Sequence, residues 1–215
     1  MKLYGYYRSS AAYRCRIAFN LKEIVPDYIP VHLRRGGGEQ LLPEFRAVNP
    51  QALVPALDVD GRVLTQSLAI VEWLDETHPR PPLLPGDPFE RAEIRAFALA
   101  IAAEIHPLDN LRVLKYLKHE LKHEQAAIDQ WYRHWIAEGL AACERLALRN
   151  GRRGPYCFGP GPTLADVCLV PQLYNARRFG CDLSAYPTLV EIDAACAENP
   201  AFAAAHPDRQ PDAEP

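Results

Sequence analysis

Apolar positions recur along this chain in two rhythms. The first part carries short runs separated by turn residues, and the part beyond Pro88 carries long repeats at helical spacing. Met1 to Tyr6 reads as an opening strand, and Ile17, Ala18 and Leu21 follow it at helical spacing. Tyr28-Ile29-Pro30-Val31-His32-Leu33 reads as a second strand. It belongs at a sheet edge, because Pro30 has no N–H to give a ladder. Leu41 to Val48 predicts a short helix that ends near Asn49-Pro50. Leu53 to Leu64 holds two apolar runs around Asp60-Gly61, the dipeptide that a tight hairpin turn favours. Pro55, just ahead of that hairpin, is a candidate for a cis peptide bond. Leu68, Ile70, Val71, Trp73 and Leu74 then predict a helix capped by Ser67 and stopped by His78-Pro79.

Residues 79–88 contain Pro79, Pro81, Pro82, Pro85 and Pro88, too many for a helix or a sheet interior. This places a domain boundary there: 1–79 as a mixed α/β domain, 80–88 as linker, and 89–215 as an all-helical domain. In the latter, Glu90 to Ile105 reads as one helix, broken at His106-Pro107. Leu108 to Lys122 and Ala126 to Leu148 read as two more. Thr163 with Asp166 three residues on matches a capping box, and it opens a helix carrying Val167, Leu169, Val170 and Leu173. A last helix runs from Pro187 towards Asn199, and the Pro/Asp-rich tail from about His206 reads as loose.

Composition narrows the function. With 48% apolar residues the chain can bury a sizeable core, and a net charge of −3 argues against a nucleic-acid partner. No run of about 18 apolar residues suggests a membrane span, and the opening residues do not resemble a secretory signal. Cys15, Cys143, Cys157, Cys168, Cys181 and Cys196 are scattered without metal-ligand spacing. They read as reduced thiols of a cytoplasmic protein with no metal site.

The candidate chemistry begins at Ser9-Ser10. Either serine can cap the helix that follows, and a strand running into a helix N-terminus stabilises an anion through unpaired N–H groups and the helix dipole. Taken alone, the pair is only a cap. Three further segments change that reading: Val54-Pro55 before the hairpin, Gln66-Ser67 before the third helix, and the Thr163–Asp166 box.

In this order and spacing the segments resemble the cytosolic glutathione transferase fold, a thioredoxin-like α/β N-terminal domain followed by an all-α C-terminal domain. Ser9-Ser10-Ala11-Ala12-Tyr13-Arg14-Cys15-Arg16-Ile17-Ala18 is similar to the zeta-class signature Ser-Ser-Cys-x-x-Arg-x-Arg-Ile-Ala, with Ala11 in the place of its cysteine. That departure weakens inference to reactions that use the cysteine, but not to those that run on the thiol of glutathione. The resemblance implies glutathione as cofactor. Ser67 and the helix it precedes suit the γ-glutamyl carboxylate, Gln66 the glutamyl backbone, and Val54 the cysteinyl backbone. Gln40 and His32 fall near the glycyl end, and Asn110 completes the set from the helical half. Ser9 or Ser10 would hold the thiol ionised, with Arg8 and Arg14 adding positive potential.

Zeta enzymes include cis–trans isomerases of maleyl keto acids. The resemblance therefore implies a small dicarboxylate keto-acid substrate, maleylpyruvate or maleylacetoacetate, and a homodimer. Two carboxylates need at least two cationic or donor groups. Arg8, His106 and the pair Arg177-Arg178 are the candidates, and of these the resemblance points to His106 and Arg178; of two adjacent helical arginines at most one usually faces inward. A histidine before a proline can equally be a plain helix end. Two rivals remain: a transferase that conjugates glutathione to electrophiles and shares the glutathione half, and a transferase-like fold kept as a non-enzymatic binding or structural module, against which the intact Ser9, Val54-Pro55, Gln66 and Ser67 argue.

Overall fold

The computed structural model describes residues 1–149 and 154–214. The chain forms two compact units, one of Met1–Leu83 together with the segment from Glu198 onward, the other Leu84–Ala197.

In the first unit four strands make a mixed sheet. They are β1 (Lys2–Gly5), β2 (Asp27–Pro30), β3 (Ala56–Val59) and β4 (Arg62–Thr65), in the order β2-β1-β3-β4. β1 pairs parallel with β2 and antiparallel with β3, and β3 pairs antiparallel with β4. β2 is an edge strand, as Pro30 requires. It stops at Pro30 rather than Leu33, because His32 leaves the ladder and takes the N–H groups of Arg34 and Arg35 on its Nδ1. The β3–β4 turn places Asp60 at φ 52° and Gly61 at φ 86°, and the Gly61 N–H donates to Asp58 Oδ1 at 2.7 Å.

Three helices accompany the sheet: α1 (Ser10–Leu21), α2 (Pro43–Val48) and α3 (Ser67–Thr77). The Val54–Pro55 bond is cis, as expected, and so is Arg80–Pro81, which nothing in the sequence singled out. Lys22, buried at the end of α1, pairs with Asp75 of α3 at 2.6 Å.

Two expectations are corrected here. Ser67 does not cap α3. The cap is Gln66, held at φ 70°, whose carbonyl accepts the Ile70 N–H at 3.0 Å, so Ser67 is the first helical residue. The tail is not loose either. After α9 (Pro200–Ala205), which packs on α1, Asp212 accepts from the Tyr7 N–H at 3.0 Å and from the Tyr28 hydroxyl at 3.3 Å. Ala213 packs on a cluster of Tyr6, Tyr7, Val31, Phe45 and Val54. The tail thus belongs to the α/β unit, although a division at 79–88 would assign it to the helical one.

The second unit is all helical: α4 (Pro88–Leu99), α5 (Leu111–His119), α6 (Gln125–Arg149), α7 (Leu164–Arg178) and α8 (Pro187–Ala197). α4 starts two residues earlier than the Glu90 of the sequence reading. Asp87 and Glu90 form a capping box there, with Asp87 Oδ1 accepting the Phe89 and Glu90 N–H groups. A π-helical turn, Ala100–Ile105, continues α4 up to the break at His106-Pro107. The chain then turns before α5 begins at Leu111, not Leu108. Gly139 of α6 lies so close to that π turn that a Cβ there would meet Ile105 at 2.2 Å, which makes glycine the residue that fits.

α7 is the central element of this unit. Its residues from Leu164 to Leu173 are all buried, and it packs against α4 and α8. Its start is built as the sequence predicted: Asp166 Oδ2 accepts from the Thr163 N–H and hydroxyl, each at 2.8 Å. Among the described residues no helix is long and apolar enough to cross a membrane.

Candidate active site

In the first unit Ser9 and Ser10 lie at the N-terminus of α1 and Gln66 and Ser67 at that of α3, and Arg14 of α1 reaches Ser67. Ser9 settles the capping question left open by the sequence: its Oγ accepts the Ala12 N–H at 3.2 Å, and its carbonyl accepts the Tyr13 N–H at 2.8 Å. Ser10 is the first helical residue and is buried. A serine hydroxyl can accept and donate at once, so Ser9 caps the helix and keeps its O–H proton for an incoming anion. That anion would also meet the positive end of α1.

Arg8 stands directly before this cap. Its Nη2 donates to the Tyr6 hydroxyl at 3.1 Å and its Cζ lies 4.9 Å from the centre of the Tyr7 ring. The Tyr6 hydroxyl and the Tyr7 ring hold the guanidinium beside the start of α1.

The two arginines inside the signature have distinct jobs. Arg14 is buried beneath α3 and donates through Nη1 to Ser67 Oγ at 3.2 Å; its Nε and Nη2 are buried with no partner among the described residues. Arg16, which the sequence reading left without a role, donates through Nη2 to the Tyr7 carbonyl at 2.9 Å and through Nε to the Ala205 carbonyl at 3.1 Å. It thereby holds the loop that delivers Arg8 and Ser9. An arginine at fixed offset from the Ser-Ser pair was the available signal, but its acceptors are main-chain carbonyls that a sequence does not reveal.

Gln66 is exposed and donates through Nε2 to Gln51 Oε1 at 3.0 Å. Gln40 is buried with its Oε1 unpaired among the described residues. Val54 contributes its side chain to the apolar cluster beneath. His32 accepts two N–H groups on Nδ1, which leaves the proton on Nε2, and Nε2 lies 3.1 Å from Glu214 Oε1. The hydrogen bond from His32 holds the Glu214 carboxyl below its ordinary range.

A tripeptide with two carboxylates, an amine and amide N–H groups fits these groups. The N-terminus of α3 with Ser67 and the unpaired N–H groups of Arg14 suit a carboxylate, and Gln40 Oε1 suits an amide N–H.

In the second unit the candidates separate. Arg177 is tied to Asp193 at 2.6 Å. Arg178 has no carboxylate partner in the described contacts; its Nη1 donates to Asn175 Oδ1 at 3.0 Å. Asn110 caps α5, accepting the Arg112 N–H at 3.1 Å on Oδ1, and this leaves its amide N–H groups as what it can offer a ligand. His106 ends the π turn, its N–H donating to the Ile101 carbonyl at 2.9 Å. Its neighbour Asp109 was not picked out by sequence. Both carboxylate oxygens are buried without a partner among the described residues, and burial pushes the carboxyl up to about 8.

Comparison with known proteins gives this arrangement its family. The model of the glutathione S-transferase N-terminal domain matches residues 3–82, and that of the C-terminal domain matches residues 129–208. The chain belongs to the glutathione S-transferase family. It is 53% identical over 212 residues, 98% of this chain and 97% of the relative, to a probable maleylacetoacetate isomerase of Vibrio cholerae. A solved maleylpyruvate isomerase, described as a bacterial glutathione S-transferase of the zeta class, superposes with a TM-score of 0.96 at 48% identity and covers 100% of both chains. A maleylacetoacetate isomerase of Methylobacterium extorquens, solved with malonate and glutathione bound, gives 0.93 at 40% identity, again over 100% of both chains. The family and the zeta-class likeness expected from the Ser9–Ala18 segment are therefore both found.

Proposed function

We propose that this chain is a glutathione-dependent cis–trans isomerase that converts a maleyl keto acid, maleylpyruvate or maleylacetoacetate, to its fumaryl isomer in the breakdown of aromatic compounds. The observation that carries the reading is the Arg8–Ser9 pair: a guanidinium held by the Tyr6 hydroxyl and set immediately before a capped helix N-terminus. Full-length likeness to isomerases supports it, and so does the relative that holds glutathione together with the dicarboxylate malonate.

When bound, glutathione supplies a thiolate that adds reversibly to the maleyl double bond and so permits rotation. The chain's residues do the rest. Ser67, Arg14 and the first turn of α3 hold the γ-glutamyl carboxylate; Gln66, Val54 and Gln40 hold the backbone; His32 and Asn110 serve the carboxylates from further along. Ser9 donates its hydroxyl proton towards the sulfur, with Ser10 beside it, and the N-terminus of α1 lowers the thiol pKa. Arg8, Arg178 and His106 bind the substrate carboxylates and place positive charge where the enolate develops. Arg177, already neutralised by Asp193, is the weaker of the adjacent pair. The reading includes a cytoplasmic homodimer; family likeness supports it, together with six free cysteines. Light scattering of the purified protein tests the dimer.

The decisive test follows each diketo acid by its absorbance, with and without glutathione. Isomerisation that requires glutathione and leaves its concentration unchanged supports the proposal. Equal rates without it, or its stoichiometric consumption, point elsewhere, the latter to a conjugating transferase. Arg8→Ala and Arg178→Ala are expected to lose turnover while still binding a glutathione column.

A further inference from the structure

Arg178 ends α7, exposed to solvent, yet its guanidinium is held on two sides. Nη1 donates to Asn175 Oδ1 at 3.0 Å, and Cζ lies 5.2 Å from the centre of the Phe179 ring. Asn175 in turn donates through Nδ2 to the Tyr132 hydroxyl. Tyr132 stacks on Phe179 with centroids 3.6 Å apart and 15° between the planes. The four side chains close a ring, in which Tyr132, Asn175, Arg178 and Phe179 each touch the next.

The donors and acceptors around that ring have only one consistent arrangement. A guanidinium donates and never accepts, so Asn175 must turn Oδ1 towards Arg178 and Nδ2 away from it. The Tyr132 hydroxyl supplies the acceptor that Nδ2 then needs. Flipping the amide would set donor against donor at Arg178. Burial pushes the Tyr132 hydroxyl up, with the nearby Asp109 carboxyl adding to this, so it remains a neutral phenol throughout the working range. Exposed arginines ordinarily sample many rotamers, and ordering one on binding costs entropy. Here Asn175 and the Phe179 ring restrict the guanidinium, which lowers that cost.

We propose that Tyr132 and Asn175 are positioning residues for the isomerisation: through the amide of Asn175 they fix the Arg178 guanidinium in the pose that receives a substrate carboxylate. The proposal rests on the assignment of Arg178 to the maleyl substrate made above. Tyr132 touches neither substrate nor cofactor; it acts through Asn175.

The test is steady-state kinetics at saturating glutathione on Tyr132→Phe, which keeps the stack on Phe179 and removes only the acceptor. Its KM for the maleyl acid should rise about tenfold, with a smaller loss in kcat and an unchanged KM for glutathione. Asn175→Ala should behave alike, so the result does not hang on one variant. Combining Tyr132→Phe with Arg178→Ala should be no worse than Arg178→Ala alone, because both act at one point. A wild-type KM in Tyr132→Phe and Asn175→Ala beside a damaged Arg178→Ala would overturn the positioning role and leave the substrate assignment standing; so would strict additivity in the double variant. A wild-type KM in Arg178→Ala would overturn the substrate assignment itself, and this proposal with it.

Discussion

Arg14 Nη1 meets Ser67 Oγ at 3.2 Å across 53 positions of sequence, and this hydrogen bond ties the first turn of α3 to the buried side of α1. Two further nitrogens of the same guanidinium, Nε and Nη2, are buried without a partner among the described residues. Burying a charged group with unmet donors is costly, and the cost falls when an anion arrives. Replacing Arg14 by Met keeps the length and removes the charge. Glutathione affinity, read by calorimetry, should fall about ten- to thirtyfold, or ~1.5–2 kcal/mol. Ser67→Ala should weaken it less, because the N–H groups of α3 remain. Unchanged affinity in Arg14→Met would mean that the guanidinium serves the fold alone.

Ser9 carries two burdens that a pair of variants separates. Ser9→Ala removes the N-cap of α1 and should cost about 1 kcal/mol in urea unfolding. It also removes the hydroxyl offered to sulfur, so the thiol of bound glutathione should titrate higher, as followed by thiolate absorbance in the ultraviolet. Ser9→Thr should restore both. Ser10→Ala should leave the cap intact; if it, and not Ser9→Ala, moves the thiol titration, the two serines have exchanged roles.

What could be read in advance was local. The β3–β4 hairpin, the edge position of β2, the cis bond at Pro55 and the Thr163–Asp166 box all depend on residues a few places apart. The misplaced features depend on partners far away or on backbone angles. Ser67 passed for a cap because serine favours that position, whereas the cap is a glutamine at φ 70°. The tail passed for loose because its Pro and Asp content suits a coil; Asp212 finds its donor at Tyr7, 205 positions earlier. The start of α4 was hidden differently. Asp87-Pro88-Phe89-Glu90 is a legible capping signal, but it sits inside a proline-rich run that suggested linker. In the candidate site, Ser9 and Arg14 were visible in the Ser9–Ala18 signature and Ser67 beside Gln66, while the task of Arg16 in that signature was not, because it bonds to carbonyls that every residue has.

The tail supports a prediction of its own. Asp212 takes both the Tyr7 N–H and the Tyr28 hydroxyl, and burial together with that carboxylate pushes the Tyr28 phenol up, keeping it a donor. Asp212→Ala leaves a main-chain N–H and a phenol short of their acceptor next to Arg8. Stability should drop by about 1–3 kcal/mol, and turnover should fall more than the loss of folded protein explains. Ending the chain after Gln210 should reproduce both effects. A truncated protein with parental stability and turnover would show that the tail only lies on the surface.

Asp109 sets a pH dependence whose sign is opposite to that of an ordinary paired carboxylate. Burial without a partner raises its carboxyl from 3.8 to about 8, so from about pH 4 to 8 the folded chain keeps a proton that the unfolded chain has released. Stability is therefore full below about pH 4 and declines as pH rises towards 8, at most ~1.4 kcal/mol per unit and less to the extent that water reaches the group. Asp109→Asn removes that titration and retains a polar group of the same shape. The difference in stability between variant and parent should grow in the variant's favour from pH 5 to pH 8, by about 1–3 kcal/mol in all. Because both proteins share every other titrating group, the difference isolates this one. A constant difference across that range would mean that Asp109 is ionised throughout, with a partner it acquires in solution. If the slope appears and the variant also loses turnover, the cost carried at neutral pH is one the reaction requires, as buried titratable groups near substrate-binding residues often show.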